Sequence, residues 1–125
     1  RRRHTRCSGV SWARDVYKRQ GEGPGEAIPK VLKRAGMSLS DIDIFEINEA
    51  FAAQVLGNVA RLNLDISKLN LHGGAIALGH PTGCSGARIM VTLYNVLKRL
   101  DKEFGVASIC GGGGATMAVI IKREN

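Results

Sequence analysis

Glycine places the tightest limit on what this chain can fold into: five glycines fall between residues 73 and 86, and four more run without a break from Gly111 to Gly114. Residues this free in φ and ψ extend neither a helix nor a strand, so each cluster reads as a loop flanked by regular structure. The 125 residues, 44% hydrophobic and 23% charged, leave room for one soluble core. No apolar run approaches the ~18 residues of a membrane span, so no membrane partner is expected. Three cysteines, an odd number without a secretory apolar region, point to free thiols in a reducing compartment rather than to disulfides.

The net charge of +7 suggests a polyanion partner until it is divided along the chain. Residues 1–20 hold seven Lys/Arg against the single Asp15, a net +6, whereas residues 21–125 hold eleven basic and ten acidic side chains, a net +1. The basic character belongs to the first segment, and the remainder has no footprint for nucleic acid. That segment, RRRHTRCSGVSWARDVYKRQ, shows neither helical nor strand periodicity and too few apolar residues for a core, so it is expected to be disordered. It reads as a basic arm, as an Arg-rich transit peptide, or as a cloning or assembly scar. The scar is favoured, because the chain opens on Arg1 rather than Met. A nucleic-acid arm would instead lose affinity steeply with salt and vanish when residues 1–20 are deleted.

From Gly21 the pattern alternates between helix and strand. Glu26 to Ala35 reads as a short helix with Pro29 in its first turn and Gly36 as its stop. Asp41 to Ile47 alternates polar and apolar residues, which predicts a half-buried strand. Asn48 lies where the period changes, at or near the start of a helix carrying Phe51, Val55, Val59 and Leu62. Ser85 to Leu100 forms another, with Ile89, Leu93, Val96, Leu97 and Leu100 in one stripe. Gly105 to Cys110 and Ala115 to Ile121 are β-rich runs joined by glycines, a hairpin. The expected fold class is α/β, a mixed sheet with packed helices, with residues 21–125 as one domain and residues 1–20 outside it.

Three places concentrate chemistry, each at the end of a regular element, where backbone donors are unpaired. Asn48 heads Asn48-Glu49-Ala50-Phe51-Ala52 and on spacing alone reads as a helix cap. In the block from Asn70 to Gly86, His80 is followed by Pro81 and bracketed by Gly79 and Gly83, so a stiffened histidine is held where bare backbone can approach a ligand. Cys110 closes a predicted strand and opens onto Gly111–Gly114, and the Gly112 amide is free of side-chain cover and able to face a developing anion. Neither glycine block has the strand-loop-helix context of a phosphate cradle. No metal is expected, because Cys7, Cys84, Cys110, His4, His72 and His80 lack paired ligand spacing.

With those residues in place, the chain from Gly21 onward resembles the C-terminal part of thiolases, specifically the acetyl-CoA acetyltransferase group. GEGPGEAIPKVLKRAG is similar to the linker and helix entering that half, and INEAFAAQ, NLHGGAIALGHPTGCSGAR and ASICGGGG are similar to its three active-site blocks, in order. Thr116 departs from the family pattern, which usually carries Gly or Ala there. The resemblance implies a thiolase-like C-terminal domain and an acyltransferase of fatty acid metabolism. Such an enzyme joins two acetyl-CoA molecules in a Claisen condensation and cleaves acetoacetyl-CoA in reverse. It implies acyl-CoA as substrate, no cofactor beyond that coenzyme A, a homo-oligomer, and a cytoplasmic or organellar-matrix location.

It also implies roles for the three places. His80 activates a nucleophilic cysteine and helps hold the thioester oxygen, Asn48 holds a water at that oxygen, Cys110 moves the α-proton, and the Gly112 amide serves the second oxyanion hole. Gly79, Pro81 and Gly83 shape the substrate loop. The acylated cysteine of the family has no counterpart here, since neither Cys7 nor Cys84 matches it. The 125 residues alone are therefore expected to be inactive and prone to aggregate. A longer-chain 3-ketoacyl-CoA thiolase and a non-catalytic CoA-binding or dimer-interface module are the alternatives.

Overall fold

The structure, a computed structural model, describes residues 21–111 and 114–124. The segment read as disordered, residues 1–20, and the proposed Gly112 donor lie outside these residues. Helix α1 (Gly23–Ala35) is followed by strand β1 (Ile44–Ile47), helix α2 (Ala52–Leu62), short helix α3 (Ala75–Leu78), helix α4 (Ser85–Arg99), and strands β2 (Phe104–Cys110) and β3 (Thr116–Lys122). Single 3-10 turns at Leu39–Asp41 and Ile66–Lys68 lead into β1 and out of α2. The sheet order is β1-β2-β3, with β1 and β2 parallel and β2 and β3 antiparallel. This is the mixed sheet expected.

Two apolar clusters hold helices to both faces. Phe45, Ile47 and Val106 pack with Ile28 and Leu32 of α1 and Val55 of α2. Ile44 and Ala107 pack with Ile89, Leu93, Val96 and Leu97 of α4. The result is a three-layer arrangement in which the crossover from β1 to β2 contains α2, α3 and α4. In such a unit, the carboxyl ends of the parallel strands and the loops beyond them are where ligands are met.

Several expectations are corrected. Helix α1 begins at Gly23, with Pro24 in its first turn and Pro29 in its interior. The earlier start is sustained by Asn58 of α2, whose Oδ1 accepts from the Gly25 amide at 2.7 Å, satisfying a first-turn donor that the helix cannot pair itself. Gly36 does end the helix, at φ 68°. The strand is restricted to Ile44–Ile47 and is buried on both faces rather than half-buried, because α4 covers the face assigned to solvent. Asn48 does not cap α2; that helix starts at Ala52 after an extended Phe51, which is 74% exposed and outside the core. Leu100 likewise leaves the α4 stripe for the surface.

Thr116 pairs across the hairpin with Cys110, and its side chain stands where a Cβ on Gly23 would fall. The departure from the resembled pattern therefore packs against α1.

Candidate active site

The carboxyl end of β1 is tied down by side chains from the loop that follows α2. Asn70, itself in the left-handed region at φ 48°, accepts from the Ile47 amide through Oδ1 and donates through Nδ2 to the Ile47 carbonyl, both at 2.9 Å. One amide side chain thus substitutes for a neighbouring strand's backbone. The same Nδ2 donates to Glu49 Oε1, and Glu49 Oε2 accepts from the Ile76 amide at 3.0 Å. Glu49 lies so close over Gly74 that a Cβ there would overlap its carboxylate, which explains a glycine at the entrance to α3.

Asn48 is the next residue along, 1% exposed, and its amide donates to the Ser108 carbonyl at 2.9 Å, so it ends the parallel pairing. Its side-chain Oδ1 faces Arg88 Nη2 of α4 at 3.5 Å, and its Nδ2 has no partner among the described residues. An oxygen turned toward a guanidinium leaves the Nδ2 donor to face something else. Arg88 Nε and Nη1 and Glu46 Oε1 are buried and likewise have no partner among the described residues. Glu46 is 1% exposed, and burial pushes its carboxyl up to about 7, more than Arg88 draws it back; the charge on Glu49 adds to the rise.

His80 is exposed and sits in the loop between α3 and α4. Gly79 before it ends α3 at φ 88°, ψ 168°, a region that side-chain-bearing residues avoid. His80 Nδ1 lies 2.7 Å from Ser85 Oγ, and Ser85 Oγ donates to the Pro81 carbonyl at 3.0 Å. That carbonyl also accepts from the Cys84 and Ser85 amides, both at 2.8 Å, so Pro81 anchors the turn that leads into α4. Gly83 is exposed, and among the described residues nothing stands within 4 Å of where its Cβ would be.

Cys110 is half-buried at the last position of β2, where burial pushes its thiol up and keeps it protonated at neutral pH. On the pleat it shares the face of Val106, toward α1 and α2, whereas Asn48, Arg88 and the His80 turn lie on the α4 side. These groups share one end of the sheet through a traceable path: Ser85 and Arg88 occupy the first turn of α4, Arg88 meets Asn48, and Asn48 pairs with Ser108, two residues before Cys110. Of the residues marked in the sequence, Asn48, His80 and Cys110 are thus placed at the carboxyl edge. Ser85, Arg88, Glu46 and Asn70 were missed. The Ser85 signal was available in outline, as a hydroxyl five residues after a loop histidine at a helix start.

A cleft of about 280 Å³ borders Glu49, Val55, Leu56, Ile66 and Ile76 but takes in neither His80 nor Cys110. Among the described residues, no helix is long and apolar enough to cross a membrane.

Comparison with known proteins agrees in sequence and in shape. The family model described as "Thiolase, C-terminal domain" matches residues 6–123. The acetyl-CoA acetyltransferase of Yarrowia lipolytica is 56% identical over 100 residues, covering 80% of this chain and 25% of that protein. Acetyl-CoA acetyltransferase 1 of Arabidopsis thaliana is 54% identical over 99 residues, covering 79% of this chain and 24% of its own length. The crystal structure of human mitochondrial 3-ketoacyl-CoA thiolase in complex with CoA superposes with a TM-score of 0.83 at 52% identity, covering 85% of this chain and 27% of that one. The chain spans about a quarter of the length of these proteins.

Proposed function

The chain belongs to the thiolase family, as its C-terminal domain, and from that premise we propose that it supplies the acid/base half of an acyltransferase site. That site makes and breaks the carbon–carbon bond between two short acyl-CoA thioesters. The observation that carries this reading is the gathering of His80, Ser85, Arg88 and Asn48 within one turn of α4, at the carboxyl edge that also ends in Cys110.

The chemistry follows from the atoms available. In synthesis, His80 takes the proton of an acyl-accepting cysteine supplied by another part of the longer protein. The thiolate attacks the first acetyl-CoA, and coenzyme A leaves as its thiol. The departing thiol carries off the proton that His80 took; Cys110 then passes its own proton to the ring and, as thiolate, removes the α-proton of the second acetyl-CoA, which leaves His80 protonated. The enolate carbon then attacks the acyl-cysteine, forming acetoacetyl-CoA and releasing the cysteine. The protonated ring of His80 and a water on Asn48 Nδ2 stabilise the thioester oxygen while it carries negative charge. Thiolysis runs the same steps backward, with the Cys110 thiol returning the proton. Asn48 Nδ2 supports its role, since a buried donor without a partner among the described residues calls for an acceptor from elsewhere.

Phe51, Ile76 and Leu78, each more than half exposed, flank the loops that carry Asn48 and His80. This apolar rim supports a site completed and closed to water by the rest of the longer protein, so the 125 residues alone turn over no thioester. Names for acetyl-CoA and for 3-ketoacyl-CoA both occur among the relatives, which supports a place in fatty acid metabolism. The test is thiolysis of acetoacetyl-CoA by a full-length enzyme carrying this segment. His80→Ala is expected to lower kcat by about 10²–10⁴, and turnover at the unaltered rate would refute the assignment.

A further inference from the structure

A hydroxyl has one hydrogen, and Ser85 Oγ has two neighbours for it: the Pro81 carbonyl at 3.0 Å, which can only accept, and His80 Nδ1 at 2.7 Å, which can accept or donate. With the hydrogen on the carbonyl side both contacts are hydrogen bonds, Oγ accepting from the ring nitrogen. The reverse assignment would leave Oγ and the Pro81 oxygen facing each other at 3.0 Å with no hydrogen between them. Ser85 is 0% exposed, so water does not compete for its lone pairs. No second partner of the ring occurs among the described residues.

From this we propose that Ser85 is a positioning residue that holds neutral His80 as its Nδ1–H tautomer, leaving Nε2 as the one ring atom that gains and loses the proton. The inference rests on the functional reading above for its consequence and on the hydrogen count alone for its chemistry. An imidazole fixed in this way is a base at Nε2 before the nucleophilic thiol gives up its proton. Afterwards it is a donor at the same atom, so one nitrogen performs both duties without a ring flip. The proton on Nδ1 never leaves, and Ser85 neither gains nor loses one. Ser85 occupies the first position of α4, and the turn it closes is anchored by three hydrogen bonds to one carbonyl, so the acceptor is rigid.

Long-range ¹H–¹⁵N correlation spectra of a histidine-labelled full-length enzyme carrying this segment, at alkaline pH, read the tautomer directly, and a His80→Ala control assigns the signal. The Nδ1–H form is expected for His80. The Nε2–H form would overturn the proposal, whatever reaction the longer protein performs. Ser85→Ala is expected to shift His80 toward the Nε2–H form that free histidine side chains favour, and Ser85→Thr to keep Nδ1–H. An unchanged tautomer in a folded Ser85→Ala chain would also overturn it.

In the full-length enzyme, Ser85→Ala should lower kcat at least ~10-fold, toward the ~10⁴ that a wrong tautomer costs a catalytic histidine elsewhere. KM should change little and Ser85→Thr should restore the rate. Loss of KM with kcat intact would mark Ser85 as structural only. If His80→Ala itself leaves thiolysis intact, the functional reading fails while the tautomer result still stands.

Discussion

Replacing Cys110 with Ala in a full-length enzyme carrying this segment should abolish exchange of the acetyl-CoA methyl protons with solvent deuterium, by about 10²–10⁴ in rate, while acyl transfer to the nucleophilic cysteine continues. The two half-reactions separate because Cys110 and the acylated residue do different work. Cys110 is half-buried at the end of β2, and burial pushes its thiol up, so at neutral pH it is an acid ready to protonate a carbanion. The same shift makes its thiolate a stronger base once formed, which suits removal of a weakly acidic α-proton. Cys110→Ser should recover little, because an alcohol at this position is a much weaker acid than a thiol. Methyl-proton exchange at the unaltered rate in Cys110→Ala would remove this residue from proton transfer altogether.

Glu46→Gln is expected to raise the stability of the chain at pH 8 and leave it nearly unchanged at pH 4.5. Burial lifts the Glu46 carboxyl from its ordinary value of 4.5 to about 7. The folded state therefore holds a proton that the unfolded state has already released, and stability is lost as pH rises through this interval. At about 1.4 kcal/mol per pH unit, the interval from 4.5 to 7 amounts to on the order of 3 kcal/mol. Above pH 7 both states are ionised and the loss is complete. Glutamine keeps the shape without the charge, so its urea-melt stabilities should be flat where those of the parent chain fall. Parallel profiles for the two chains would show that Glu46 is ionised at its ordinary value and not desolvated.

Glu46 also marks where sequence reasoning stops. In β1 Phe45 and Ile47 share one face and Ile44 and Glu46 the other, and the adjacent apolar pair Ile44–Phe45 breaks the alternation expected over Asp41 to Ile47. One strand's pattern cannot say whether a helix covers its second face. The spacing of Ile89, Leu93, Val96 and Leu97 was legible because a 3.6-residue stripe is a local property, and all four are buried against the sheet. The hairpin was legible for the same reason, through two β-rich runs around a glycine turn.

Partnerships spanning many residues were not. Asn58 pairs with Gly25 across 33 positions and extends α1, and Arg88 meets Asn48 across 40. Asn48 could be marked as chemical from its place at a change of period, but its environment came from α4 rather than from the helix it was expected to cap. The block around His80 announced a constrained histidine through Gly79 and Pro81, yet the atom that orients the ring, Ser85 Oγ, belongs to the following helix.

The claim on which all of this turns is that the His80 ring and the Cys110 sulfur meet over the strand ends, although they approach from opposite faces of the pleat. The most direct measurement is cross-linking of a His80→Cys chain, with Cys7 and Cys84 replaced by Ser, using a short bis-methanethiosulfonate and peptide mapping. Efficient joining of positions 80 and 110 by the shortest reagent is the predicted result. Linkage only by reagents long enough to pass around the sheet would place the two groups in separate environments and contradict a shared site.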